Sequence, residues 1–412
     1  MLIERKKYIN LIDRIVNLWK SIFFVWSRQV WKTTLMKMYC EMRWLDYFYI
    51  NFDEIVWVWR VEFNNLNQFL QELNFYYKKD ILQYDLVIFD EVSKVKNFNV
   101  FLKALIDKYP QKIFFASSSG NYDFVDSILE GLAGRIIKIE VFPFDFEEFL
   151  QAKWVELISV NSERSYNLVF PYLQEYLIFG GYPEVVLQSD FENKKIILKS
   201  IVDSIFEKDL INFVKLEKIL DLKQLMKYLR RNLWSLFSFE GLANDLGLKI
   251  YDVKYFIKIL ERSYLLYLLS PFWTSKKIEV STKMKIYLND FGIYNFVLNN
   301  FEDFYLDWSL VEQFVFLQLR YNLDITDEIY FYRKINWSEI DFILEKWWKL
   351  IPIEVKLGNK VKIPKIFVSF AERYGDKVKY FVKTTKWLVD TKDIDGIPVK
   401  FLSFLNIKEV LE

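Results

Sequence analysis

Apolar residues in this chain come in two kinds of run, one spaced by three and four positions and one unbroken. Residues 3–18 carry Ile9, Leu11, Ile12, Ile15 and Val16 at helical spacing, which predicts a helix. Ile22 to Val25 is a short unbroken run, the pattern of a strand buried on both faces. An amphipathic helix is expected from Lys32-Thr33-Thr34 onward. The alternation then repeats. Strands are expected over Leu45–Asn51, over Asp85–Phe89 closed by Asp90-Glu91, over Lys112–Ala116 and over Ile136–Val141. Helices are expected between them over Leu66–Tyr77 and Phe98–Lys108. Strands separated by helices predict a parallel sheet covered by helices.

The pattern changes near residue 145. From there to about 215 the spacing is helical and rich in aromatic residues, with a break at Phe179-Gly180-Gly181-Tyr182-Pro183-Glu184. Leu222–Asn232, then Ser238–Gly247, then Val253–Arg262 read as helices, the last two joined by a turn at Gly247. That is a helix-turn-helix arrangement. Its second helix carries Lys254, Lys258 and Arg262 but is not strongly basic, so it either reads DNA or packs against its neighbours. The last part, about 276–412, contains a helix at Leu310–Phe316 and strand-like runs at Ile329–Tyr332, Glu339–Leu344 and Leu350–Val355.

The first strand and helix bracket a motif. Trp26-Ser27-Arg28-Gln29-Val30-Trp31-Lys32-Thr33-Thr34 has the spacing of a phosphate-binding loop, G-x-x-x-x-G-K-[ST], with tryptophan at both glycine positions. Such a loop turns backbone N–H groups onto phosphate oxygens, and glycine permits the positive φ and close approach this needs. An indole permits neither. Downstream, the buried run ending in Asp90-Glu91 can deliver one carboxylate to a Mg²⁺ shell and the other to an attacking water. A solvated strand end is the plain alternative, but the distance from Lys32 within a strand–helix alternation favours the pair. Ser117 or Ser118, at the tip of the next strand, can bond a terminal phosphate or the water, or belong to a loop with no such role. Arg135 in Leu132-Ala133-Gly134-Arg135 either faces a phosphate, in its own subunit or a neighbour's, or lies on the surface.

The tryptophans recur where glycine is wanted. Glycine numbers 11 and tryptophan 14 of 412 residues, and together they approach an ordinary glycine share of about 7%. Trp347-Trp348 falls between two strand-like runs, where a two-residue hairpin loop requires positive φ. Asn336-Trp337 stands where Asn-Gly is usual. Trp19, Trp44, Trp234, Trp308 and Trp387 lie in or beside polar breaks, whereas Trp57, Trp59 and Trp273 fit a core equally well. Some bacterial lineages read UGA as glycine, and a translation reading it as tryptophan gives this pattern. Many of these residues are thus expected to be glycine in the living protein. The alternative is a degenerate nucleotide site with aromatic enrichment.

Composition narrows the chemistry. Fifty-six basic and 55 acidic residues leave a net charge of +1, so no overall field recruits nucleic acid. One cysteine, Cys40, and no histidine exclude a disulfide framework, histidine-based nucleophile pairs and histidine metal sites. Metal chemistry then rests on carboxylates, which favours Mg²⁺ or Mn²⁺. The charged N-terminus lacks a signal sequence, and no run of about 18 uncharged apolar residues is present, so a soluble cytoplasmic protein without a membrane partner is expected. The C-terminal part has its own constellation. Asp341 on one expected strand and Glu354 on the next can converge on a divalent cation, with Lys356 facing the same side. Glu312 on the preceding helix is a third carboxylate candidate. Chance charges in an exposed hairpin are the plain alternative, but Asp341 and Glu354 sit among apolar residues, where unpaired burial is costly.

Taken together, Trp26–Thr34, Leu86–Glu91, Ser117–Gly120, Leu132–Arg135, Tyr176–Val185, Ile286–Tyr294, Leu310–Phe316 and Ser338–Lys356 make the chain resemble a known family. These are bacterial and archaeal AAA-type ATP-binding proteins that fuse a P-loop ATPase, a winged helix and a PD-(D/E)XK-like domain. The resemblance implies an α/β fold: a P-loop AAA+ parallel sheet over 1–150, a helical lid over 151–215, a winged helix over 216–275 and an α+β PD-(D/E)XK-like domain over 276–412. It implies ATP and Mg²⁺ as cofactors. Lys32 then contacts phosphates, Thr33 and Asp90 serve the metal, Glu91 polarises water and Ser117 takes the sensor 1 role. In the tail, Glu312, Asp341 and Glu354 hold metal and Lys356 assists water. Trp26 and Trp31 depart from the pattern, and Ser27 replaces a common proline. Three functions stay open: an ATP-driven enzyme with a nuclease-like tail, a nucleotide-controlled switch whose tail binds DNA or a protein without cutting, and a pseudo-ATPase. A homo-oligomer is compatible with each.

Overall fold

A computed structural model describes residues 3–25, 28–55, 65–119, 122–156, 159–206, 214, 216–232, 236–272, 283–301, 305–334 and 338–411. The chain divides into two compact units, Met1–Pro143 with Asp203–Asp209, and Phe144–Val202 with Leu210–Glu412.

In the first unit, α1 (Lys6–Val16) buries Ile9, Ile12 and Ile15, the stripe its spacing predicts. It leads into β1 (Ser21–Val25), in which all five residues are buried. There follow α2 (Lys32–Met42), β2 (Tyr47–Asn51), α3 (Leu66–Tyr77), β3 (Leu86–Asp90), α4 (Phe98–Lys108), β4 (Ile113–Ser117), α5 (Tyr122–Gly131) and β5 (Ile136–Glu140). The strands form one parallel sheet in the order β2-β3-β4-β1-β5. Phe52, Phe69, Phe89, Phe98, Phe101 and Phe114 fill one side of it, with the Phe69 and Phe101 rings stacked 5.0 Å apart. Because the strands are parallel, the carboxyl ends of β1, β3 and β4 share one edge. The phosphate-loop segment, Asp90-Glu91 and Ser117–Ser119 are gathered there, where ligands of open α/β sheets bind.

The second unit begins with α6 (Phe146–Ala152), α7 (Glu163–Phe179), α8 (Pro183–Leu187) and α9 (Phe191–Ser204). A three-helix, three-strand group follows: α10 (Ile219–Asn232), β6 (Leu236–Phe237), α11 (Phe239–Leu246), α12 (Ile250–Arg262), β7 (Leu266–Leu269) and β8 (Met284–Leu288). Its sheet order is β6-β8-β7, antiparallel throughout. Next come α13 (Phe291–Leu298), α14 (Trp308–Asn322), β9 (Glu328–Arg333), β10 (Glu339–Lys346), β11 (Lys349–Glu354), α15 (Lys365–Tyr374), β12 (Phe381–Thr385), β13 (Asp390–Ile394) and β14 (Ile397–Ser403). These strands form a mixed sheet in the order β13-β14-β12-β11-β10-β9.

Helices α6 to α8, in the stretch expected to form a lid, are tied within the second unit. Phe146 N–H donates to Gln318 Oε1 at 3.0 Å, and Asn295 Nδ2 donates to the Leu177 and Ile178 carbonyls at 2.8 Å. Gly181 N–H donates to the buried Asp290 carboxylate at 2.8 Å. The glycine break and the Asn289-Asp290-Phe291-Gly292 stretch therefore meet each other. A Cβ on Gly292 would lie 2.1 Å from the Phe179 carbonyl oxygen, so no side chain fits there.

Six of the eight tryptophans among the described residues have positive φ: Trp19, Trp31, Trp44, Trp154, Trp347 and Trp348, with φ from 53° to 66°. Trp19, Trp44 and Trp154 each follow a helix end. At all three, the tryptophan N–H bonds three residues back and the next N–H five residues back, as Trp44 to Glu41 (3.2 Å) and Leu45 to Cys40 (3.0 Å). Gly247 closes α11 with the same pair of bonds. This is the Schellman motif, whose left-handed position is ordinarily glycine. Trp347-Trp348 forms the two-residue β10–β11 turn, closed by the Lys346–Lys349 pair. Trp308 and Trp387 differ from the other six. Trp308 opens α14 and donates Nε1–H to the Val355 carbonyl at 3.2 Å, and Trp387 packs on Tyr166. Trp57, Trp59, Trp234, Trp273 and Asn336-Trp337 lie outside the described residues.

Candidate functional site

Two clusters stand out, one in each unit. In the first, the chain leaves the buried strand β1 and enters α2 at Lys32. Trp26 and Ser27 lie outside the described residues. Of the rest of the loop, Gln29 and Trp31 have φ of 62° and 66°, and Trp31 caps α2 in the left-handed region. Val30 is fully buried, and its carbonyl accepts from the buried Arg5 guanidinium at 3.4 Å. Backbone that visits the left-handed region before a helix makes an anion-binding concavity of N–H groups. Lys32 is buried at the helix start, and Thr34 is half-buried beside it. Arg28 precedes them in the loop.

The paired carboxylate is in reach. Thr33 Oγ1 donates to Asp90 Oδ2 at 2.5 Å, bringing the loop hydroxyl onto the acid that ends β3. Fifty-seven residues separate them, and the sheet order brings them together. Asp90 also accepts from Tyr49 OH at 2.9 Å and from Ser117 Oγ. Ser117 therefore anchors Asp90, which differs from its expected role at the terminal phosphate. Burial and the Asp90 charge push the Tyr49 hydroxyl well above the ordinary phenol value, so it stays a donor. Lys37 Nζ lies 3.5 Å from the Tyr49 ring centroid. Glu91 has φ of 54°, and Ser119 grips both its oxygens, Oγ to Oε1 at 2.6 Å and N–H to Oε2 at 3.1 Å.

Arg135 is not part of this cluster. It directly precedes β5, whose Ile136 pairs with Ser21 at the start of β1, so it lies at the amino edge of the parallel sheet. The phosphate loop leaves the opposite edge, a five-residue strand away, roughly 16 Å. Arg135 instead pairs with Asp107 on α4, Nε to Oδ1 at 2.7 Å. The sequence reading missed Tyr49, Ser119 and Arg5. No motif marks them, because each reaches its partner only through the folded sheet.

The second cluster surrounds the β10–β11 hairpin. The β9–β10 register shifts between Ile340 and Ile343, at Asp341, and such bulges re-aim side chains. Asp341 Oδ2 accepts the Val355 N–H at 2.7 Å. Lys356 Nζ lies 2.8 Å from Glu354 Oε1 and 4.0 Å from Asp341 Oδ2. Burial, then the neighbouring Glu312 and Glu354 charges, push the Asp341 carboxyl well above the ordinary range; burial also raises Glu354. Glu312 has partners of its own. Fully buried on α14, its Oε1 accepts from Lys285 at 3.0 Å and Tyr287 OH at 2.5 Å. Lys285, on β8, also pairs with Glu339, and Arg333 reaches Glu339 at 3.3 Å. Among the described residues no group of three or more Cys, Asp or Glu side chains is placed to hold a metal ion. Lys285 and Tyr287 thus take up one oxygen of Glu312, while Oε2 of Glu312 and Oε2 of Glu354 are buried without a hydrogen-bond partner.

Three stretches of the chain match known families. Residues 20–150 match the family described as AAA domain. Residues 171–303 and 309–402 match two families described as domains of unknown function, DUF8612 and DUF4143. An uncharacterized protein of Methanocaldococcus jannaschii is 30% identical over 312 residues, covering 73% of this chain and 66% of that protein. An uncharacterized protein of Haemophilus influenzae is 25% identical over 364 residues, covering 86% and 84%. A Walker-type ATPase of Pyrococcus abyssi superposes with a TM-score of 0.44 at 13% identity, over 72% of this chain and 96% of that one, a likeness too loose to carry an argument. No helix among the described residues is long and apolar enough to cross a membrane. The segment over residues 20–150 is thus similar to the AAA domain family, and the two segments after it are similar to families described as domains of unknown function.

Proposed function

We propose that the chain binds and hydrolyses ATP with Mg²⁺, and that nucleotide state governs its C-terminal region. The Thr33–Asp90 contact carries this reading, since it joins a loop hydroxyl and a strand-end carboxylate at the carboxyl edge of a parallel sheet. An oxygen-only donor pair fits Mg²⁺. Thr33 and Asp90 would hold the ion, which when bound neutralises charge on the β- and γ-phosphates. Lys32 supplies a fixed positive charge to those phosphates, and Glu91 orients the attacking water. The same reading takes Trp26 and Trp31 as glycine in the living protein, supported by positive φ at Trp31 and at five further tryptophans. Mass measurement of the tryptic peptides covering 29–32 and 347–349, from protein made in its own host, tests this directly. ATP hydrolysis that is absent in the tryptophan chain, present after Trp26→Gly with Trp31→Gly, and lost again with Lys32→Ala is the expected result. If the peptides carry tryptophan, the pseudo-ATPase reading stands instead.

For the tail, the Lys285–Glu312 pair favours binding without cleavage, because a lysine takes up one oxygen of a carboxylate that metal-dependent cleavage would use. The order helix-strand-helix-helix-strand-strand over α10 to β8 supports a winged helix as the nucleic-acid contact. Its α12 exposes Tyr251 and Lys254, and the rings of Tyr251 and Tyr255 lie parallel. Binding of labelled DNA that weakens in Tyr251→Ala, with no cutting in the presence of Mg²⁺ or Mn²⁺, agrees with this reading. Metal-dependent cutting that disappears in Asp341→Ala and Lys356→Ala would establish the nuclease in its place.

A further inference from the structure

We infer that Ser119 is the positioning residue of the hydrolytic glutamate, an inference that rests on the ATPase reading above. Three consecutive serines end β4, and the fold gives them different surroundings. Ser117 Oγ is bonded to Asp90. Ser118 is buried, and its hydroxyl has no hydrogen-bond partner. Ser119 binds Glu91 at two points, its hydroxyl on one carboxylate oxygen and its backbone N–H on the other.

Two bonds to two oxygens fix the plane of a carboxylate, whereas one bond leaves it free to rotate. Glu91 needs such a hold. It sits at φ of 54°, a left-handed conformation uncommon for a side chain of this size, directly after the strand that ends in Asp90. Its backbone N–H is tied in turn to Ser117 Oγ at 3.4 Å. Residues held in sparsely populated backbone regions persist where the surroundings determine them, and they cluster at functional sites. The step served is attack of water on the terminal phosphorus. The water oxygen forms a bond to phosphorus, and the bond from phosphorus to the bridging oxygen breaks. ADP leaves with that electron pair, and the water proton passes to the Glu91 carboxylate and on to solvent. A carboxylate rotated out of the water's path cannot accept that proton, so orientation acts on kcat.

Ser119→Ala removes the hydroxyl bond and keeps the N–H. In the chain carrying Trp26→Gly and Trp31→Gly, it should lower kcat about tenfold and leave the KM for ATP within about twofold. Ser119→Thr keeps the hydroxyl and should restore kcat. Glu91→Gln, measured beside them, should abolish turnover while fluorescent ATP still binds. A Ser119→Ala enzyme with unchanged kcat overturns the inference. So does a change confined to KM, which would make Ser119 part of nucleotide binding, and so does a loss that threonine does not restore. An active Glu91→Gln enzyme removes Glu91 from hydrolysis, and an inactive parent removes the ATPase reading itself. These two failures are thereby distinguished from failure at Ser119.

Discussion

At the scale of single residues, the tryptophans are the most informative part of this chain. A left-handed conformation costs a side-chain-bearing residue roughly 1–2 kcal/mol, and glycine avoids that cost. Trp44 is 95% exposed and Trp348 is 87% exposed, so neither recovers the cost by burial. Trp44→Gly and Trp348→Gly should each stabilise the chain by about 1 kcal/mol, read as a higher urea midpoint with an unchanged slope. Trp308→Gly should do the opposite, since it removes the indole bond to the Val355 carbonyl and places glycine in the first turn of a helix. A pattern in which all three substitutions destabilise would mean that tryptophan is native at every position. Sequence spacing had singled out Trp347-Trp348 as a turn. It could not separate Trp308 from Trp44, because both border polar stretches and only backbone conformation tells them apart.

At the scale of elements, pairing across the sheets sets the chemistry. Tyr49, midway along β2, reaches Asp90 at the end of β3 because the strands run parallel with Tyr49 opposite Ile88 and Asn51 opposite Asp90. Tyr49→Phe should raise the Mg²⁺ concentration needed for half-maximal ATPase activity severalfold while leaving the fold intact. The β8–α14 contact makes a second case. Lys285→Met leaves Glu312 buried without its cation and should cost about 3–5 kcal/mol. Adding Glu312→Leu should recover much of that loss, since the orphaned charge is then gone. Denaturant melts of the two variants check this, and a double variant no more stable than the single one would refute it. Glu312 had been legible as a carboxylate on a helix. That it faces Lys285 was not, because the lysine lies 27 positions earlier on a different element.

At the scale of the whole molecule, one buried acid gives stability a pH dependence. Asp290 accepts N–H bonds from Gly181 and Ile293, yet burial raises its carboxyl from 3.8 to about 6. The folded chain therefore holds this proton more tightly than the unfolded chain does. The resulting stability is fully present below the ordinary carboxylate value and is lost as pH rises from about 4 to about 6, a change of about 3 kcal/mol. Asp290→Asn cannot ionise and should flatten that part of the curve. Urea denaturation at pH 4.5 and pH 7 for both proteins tests it. An equal slope in the two would place the titration elsewhere.

The sequence by itself determined the five strands of the first unit and all their helices but α5, the phosphate-loop spacing and the two acids that close β3. These are local signals: side-chain periodicity, burial on both strand faces and residue type at fixed offsets. It also marked the hairpin that carries Asp341 and Glu354. Tertiary structure alone decided which edge of the sheet each residue reaches. It sent Arg135 to the amino edge and turned Ser117 onto Asp90. It placed Ser119 on Glu91, tied α6 to α8 into the second unit, and gave Glu312 to Lys285. Such contacts join residues tens of positions apart, and strand order and register, which bring them together, leave no mark at either end of the pair.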